Sequence, residues 1–88
     1  MNRDEICSWL ETHFPDEEFL LADGLEEAFV GVDDATKKTM YNSEICIDIY
    51  MKDGMSYEEA LEYFEFNVIG AYAGEKTPVF LNYNNYED

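Results

Sequence analysis

Three observations predict a small α+β domain, about three helices packed on a two- or three-stranded sheet. Apolar stripes at helical spacing recur along the chain, each beside a capping residue. Two short runs rich in β-branched and aromatic residues stand between them. No repeat and no linker-like stretch divides the 88 residues, a length near the lower end of what folds unaided. One domain is therefore read over 1–88, with 84–88 as a frayed polar tail.

The first helix is read from Asn2 to Phe14. Asn2 caps it, and Asp4 and Glu5 lie in the first turn, where the helix dipole favours negative charge. Ile6, Leu10 and Phe14 fall on one face, flanked by Cys7 and Trp9. Pro15 cannot extend the hydrogen-bond ladder and ends the helix. Asp16 to Ala22 is read as a short helical turn, with Asp23-Gly24 as a stop. Ala28 to Val32 is apolar and partly β-branched and reads as a strand. A polar loop follows, carrying Lys37 and Lys38.

Ser43 to Asp53 fits two patterns. Ile45, Cys46, Ile49 and Tyr50 suit a helix, while Ile45, Ile47 and Ile49 alternate as a strand would. Ser43 as N-cap and Gly54 just past the end favour the helix. The most definite element opens at Ser56, where Ser56-Tyr57-Glu58-Glu59 forms a capping box. Tyr57, Leu61, Phe64, Val68 and Tyr72 make its buried stripe, and Gly74 is its expected end. Thr77 to Tyr83 is the second strand, with Pro78 at its start because Pro cannot donate to a ladder. Two strands make a marginal sheet. Either the sheet pairs across a dimer, or a third strand lies within Ser43–Asp53.

Composition narrows the function classes. Twenty-one Asp and Glu against five Lys and Arg give a net charge of −16, which disfavours direct binding to nucleic acid or an anionic membrane. An acidic disordered tail is also excluded, because 16% of the residues are aromatic. The N-terminus lacks the apolar stretch of a signal peptide. Cys7 and Cys46 form no metal-ligand spacing and read as reduced, buried thiols of a cytoplasmic protein. Asp16-Glu17-Glu18, Glu26-Glu27 and Asp33-Asp34 lack the loop pattern that shapes calcium ligands, so no metal and no cofactor is expected. His13, the sole histidine, lies near a helix end and reads as a surface residue. No phosphate loop, zinc-protease motif or nucleophile elbow is present, and the chain reads as a non-enzyme.

Glu58, Glu62 and Glu65 share one helix face over roughly 10 Å, at ~1.5 Å per residue. Glu44 and Asp48 form a second acidic pair at helical spacing. No Lys or Arg is interleaved with either row. Carboxylates several Å apart on a rigid element can imitate the phosphates of a duplex and engage the groove of a DNA-binding protein. The plain alternative is a solvated acidic face. Asn67 lies among Phe64, Phe66, Val68 and Ala71 and is read on the core-facing side of the helix. There it either ties down backbone or lines a ligand pocket between helix and sheet. Gly70, with Ala71 and Ala73, is read as a small-residue surface for close packing, within the fold or across a homodimer.

The stretch from Asp53 to Pro78 resembles a group of small uncharacterised bacteriophage proteins that carry a DGMSYEEA-EYFEFNV-GA-GE-TP segment. Asp23-Gly24-Leu25 and Gly31-Val32 also resemble that group's pattern. The resemblance implies a viral origin and expression inside an infected bacterium. It implies no activity and no site residues. The expectation is thus a phage-type protein that binds and inhibits or redirects a host protein with a basic, nucleic-acid-binding surface. Its site would be Glu58, Glu62 and Glu65, with Glu44 and Asp48. The alternative is a homo-oligomeric protein binding a small ligand beside Asn67, or an accessory phage component.

Overall fold

Asn2 nucleates the first element. Its side chain accepts the Glu5 N–H at 2.8 Å while the Glu5 carboxylate accepts the Asn2 N–H at 2.9 Å. These bonds satisfy donors that a helix start leaves unpaired. In the computed structural model, which describes residues 1–71 and 74–82, helix α1 then runs Arg3–His13 and buries Ile6 and Leu10. It is followed by strands β1 (Phe29–Val32) and β2 (Thr39–Asn42), helices α2 (Ser43–Lys52) and α3 (Tyr57–Phe64), and strand β3 (Val79–Leu81). The sheet order is β1-β2-β3, antiparallel between β1 and β2 and parallel between β2 and β3. The domain is therefore α+β, with three helices and a three-stranded mixed sheet.

The third strand is β2, which lies just before the Ser43–Asp53 segment rather than within it. It occupies the sheet centre and completes the sheet inside one chain. Its buried residues, Thr39 and Tyr41, are also its anchors. The Thr39 hydroxyl donates to the Leu20 carbonyl at 2.7 Å, and the Ala22 N–H donates to the Tyr41 hydroxyl at 2.9 Å. These bonds correct the reading of Asp16–Ala22 as a helical turn. Past a turn at Pro15-Asp16 the segment is irregular, and Phe19 packs edge-on to Phe14. The helical turn in this region is a 3₁₀ turn at Glu26–Ala28.

Ser43–Asp53 is helical, as its flanks suggested, but Asn42 rather than Ser43 is the cap. The Asn42 side chain accepts the Ile45 N–H, and Ser43 is buried as the first helical residue. Gly54 follows the C-cap with φ of +110°, in the region that favours glycine.

The helix opened by Ser56 ends earlier than its sequence pattern. α3 passes at Phe64 into a π-helical turn, Glu65–Ile69, that stops at Gly70 rather than Gly74. Gly70 is exposed at that terminus, so it does not serve close packing within the fold. A side chain there would crowd the Phe66 carbonyl oxygen at 3.1 Å. Tyr57, expected in the buried stripe, is 57% exposed. Phe64 of that stripe is buried, as is Ala60, with Leu61 and Val68 packed partly against them. Phe64 meets Phe80 of β3 edge-on at 5.4 Å, and Phe80 stacks on Tyr41 at 5.6 Å. Leu25, Ala28, Cys46 and Ile47 complete this core. Tyr72, Ala73, the Tyr83 end of the second expected strand and the tail at 84–88 lie outside the described residues.

Candidate functional site

The capping box of α3 fixes where its polar face points. The Ser56 hydroxyl accepts the Glu59 N–H at 3.2 Å, and the Glu59 carboxylate accepts the Ser56 N–H at 2.9 Å. The bonds from Ser56 hold the Glu59 carboxyl below its ordinary range. With Ala60 and Phe64 turned inward, Glu58, Glu62 and Glu65 are all exposed. On α2, Cys46 and Ile47 turn inward and Glu44 and Asp48 are exposed. α2 and α3 pack on one another, so both acidic rows belong to one helical pair.

Among the described residues, no Lys or Arg pairs with any of these five carboxylates. Three of the cations are engaged elsewhere. Arg3 pairs with Asp23, and Lys76 pairs with Glu17 at 3.3 Å. Lys37 lies over the Phe14 ring and Lys76 over Phe19, at 5.6 and 5.8 Å from the ring centres. Three of the five cations thus fasten the irregular segment after α1. Over residues 43–69, seven acids face Lys52 alone.

The sequence pattern did not single out the apolar side chains on the outer face of the same helix. Phe66 is 76% exposed, and Tyr57, Tyr63 and Ile69 are also exposed. Met55, Tyr63 and Phe66 join Glu59, Glu62 and Asn67 around a groove of about 430 Å³. The available signal was that Phe66 and Ile69 fall off the stripe set by Phe64 and Val68.

Asn67 is exposed, which corrects its placement on the core-facing side. It lies inside the π turn and lines both this groove and a second cavity of about 370 Å³. That cavity lies between the helical pair, the Leu20–Leu25 segment and the Pro78–Phe80 end of the sheet. Tyr50 and Tyr63 stand edge to face at its wall, with ring centres 4.9 Å apart. Burial and the neighbouring Tyr63 push the Tyr50 phenol above its ordinary value.

The remaining candidates stay apart from these surfaces. Cys7 and Cys46 are both free thiols. Burial pushes the Cys46 thiol up to about 12. The His13 ring nitrogen Nδ1 lies 2.9 Å from the Trp9 carbonyl, and its ring packs against the indole. Among the described residues, no three His, Cys, Asp or Glu side chains gather as a metal-binding set. No described helix is long and apolar enough to cross a membrane. In comparison with known proteins, no family model, curated protein or solved structure matches the chain.

Proposed function

We propose that this protein acts by binding rather than catalysis, and that its partner is a protein with a basic, nucleic-acid-binding surface. The supporting observation is the outer face of α3 and its π turn, where Glu58, Glu62 and Glu65 stand without paired cations beside the exposed Phe66 ring. Carboxylates there supply long-range attraction and reject anionic competitors. Exposed aromatic side chains supply the short-range apolar contact that a purely solubilising face would lack. Glu44 and Asp48 on the packed neighbour α2 extend the acidic area. Occupation of a nucleic-acid groove by this face would block or redirect the partner. The setting proposed with it is the cytoplasm of a phage-infected bacterium.

The test is capture from bacterial lysate on the immobilised protein, with a Glu58→Gln/Glu62→Gln/Glu65→Gln variant in parallel. A partner retained at low salt, released by high salt, displaced by duplex DNA and lost from the variant supports the reading. A partner indifferent to salt, to DNA and to the triple change removes it.

A further inference from the structure

We propose that the cavity beside Asn67 is a binding site for a small, neutral, planar heterocycle of one or two rings that carries adjacent hydrogen-bond donor and acceptor atoms. The inference does not rest on the proposed partner, although Tyr63 and Asn67 also line the groove beside Phe66. The volume of about 370 Å³ lies at the small end of ligand sites, which run from ~300 to ~1,000 Å³. Its walls combine apolar side chains, Leu25, Val68 and Phe80 among them, with a nearly equal polar surface, and the rings of Tyr50 and Tyr63 meet edge to face at 4.9 Å. Three aromatic rings on one small cavity suit an aromatic occupant, which gains from offset or edge-on contacts.

Charge decides the rest of the class. Among the described residues, no Lys, Arg or His lines the cavity. A phosphorylated or carboxylated ligand would find no counter-charge there and would meet a chain of net charge −16. The one carboxylate in the lining among the described residues, Asp23, is already paired with Arg3, so a cation is not specifically invited either. Asn67 supplies recognition. Its amide offers a donor and an acceptor side by side, which matches the edge of a nucleobase or a carboxamide ring. Among the described residues its side chain makes no hydrogen bond within the protein, so both groups are free to serve a ligand. The π turn that carries Asn67 fits the same account, since single π turns are frequent at functional sites.

The test is an NMR titration of the ¹⁵N-labelled full chain with adenine, uracil and nicotinamide, and with the corresponding nucleoside monophosphates. At least one free ring should give saturable shifts of the Asn67 side-chain amide and the Val68 backbone amide. Its monophosphate should bind at least about tenfold more weakly, for want of a counter-charge. Asn67→Leu should keep a folded spectrum, because the residue is exposed. The same variant should lose about tenfold or more in affinity for that ring, as expected when a specific hydrogen-bonding pair is removed. Three outcomes each overturn the proposal: no saturable shift with any of the three rings, shifts confined to other surfaces, or equal affinity for the monophosphate or for the Asn67→Leu protein.

Discussion

Phe64 joins the two halves of the core. It is 2% exposed, sits at the inner end of α3, and meets Phe80 across the helix–sheet boundary. Its position was legible because it lies three and four residues from its apolar neighbours. Tyr57 shared that spacing yet is 57% exposed. Periodicity gives a side but not the point where the side runs out of partner. Phe64→Ala should cost about 3–5 kcal/mol, a large share of the ~5–15 kcal/mol typical of a domain. Urea unfolding would measure it. Cys46 gives a second check at this scale. Its thiol is fully buried and titrates near 12 in the folded chain, against about 8.5 when unfolded. Between those values the folded state keeps a proton that the unfolded state has lost. Stability should therefore fall as pH rises through this window, by up to about 1.4 kcal/mol per pH unit. Buried Tyr41, whose phenol is also raised by burial, adds the same sign at higher pH. Unfolding midpoints from about pH 8 to pH 11 should fall less steeply for Cys46→Ala than for the parent.

Capping chemistry is local, so helix starts are the elements whose ends a sequence reveals best. Ser56 and Glu59 identified the start of α3, and both reciprocal bonds are present. Ser56→Ala should cost about 1 kcal/mol at neutral pH. The Glu59 carboxyl is held low by Ser56, so its contribution is present above about pH 4.3 and is lost as pH falls through the lowered folded value. Thermal unfolding at pH 7 and about pH 3 should show the variant's deficit shrinking in acid. Helix ends and central strands are set from farther away. Thr39-Met40-Tyr41-Asn42 read as loop because half of it is polar and it is only four residues long. Its strand character comes from pairing on both sides, and its buried hydroxyls are satisfied by Leu20 and Ala22, some twenty positions earlier. The π turn was equally hidden. Its residues suit an α-helix, and nothing within Glu65–Ile69 signals the wider spacing. The acidic rows were legible because they need only helical spacing. The groove beside Phe66 was not, since it also requires knowing which apolar residues the core leaves out.

At the scale of the whole molecule, the distribution of charge matters more than its sum. The cations used as fasteners around the Phe14–Asp23 segment leave the α2–α3 pair with seven acids and Lys52 over residues 43–69. Like charges at i, i+4 on a helix oppose each other by a few tenths of a kcal/mol. Salt damps that repulsion, with a screening length of about 10 Å at 0.1 M. Raising ionic strength should therefore stabilise the free protein modestly while weakening a charge-steered complex. These opposite signs separate the two roles a surface carboxylate can have. Replacing Glu58, Glu62 and Glu65 by Gln preserves helix-forming tendency, because Gln ranks beside Glu. Melting of the triple variant should be unchanged or raised slightly, and its salt dependence should flatten. Association with a basic partner should slow, since steering charges act mainly on the encounter rate. Phe66→Ala supplies the converse. Phe66 is exposed in the free chain, so its removal should leave stability within about 0.5 kcal/mol. If the ring is buried on docking, dissociation should quicken while the salt dependence of association stays intact. Stopped-flow or surface-binding kinetics on both variants would resolve the two contributions. A Phe66→Ala complex with unaltered dissociation would remove Phe66 as the apolar anchor of the contact.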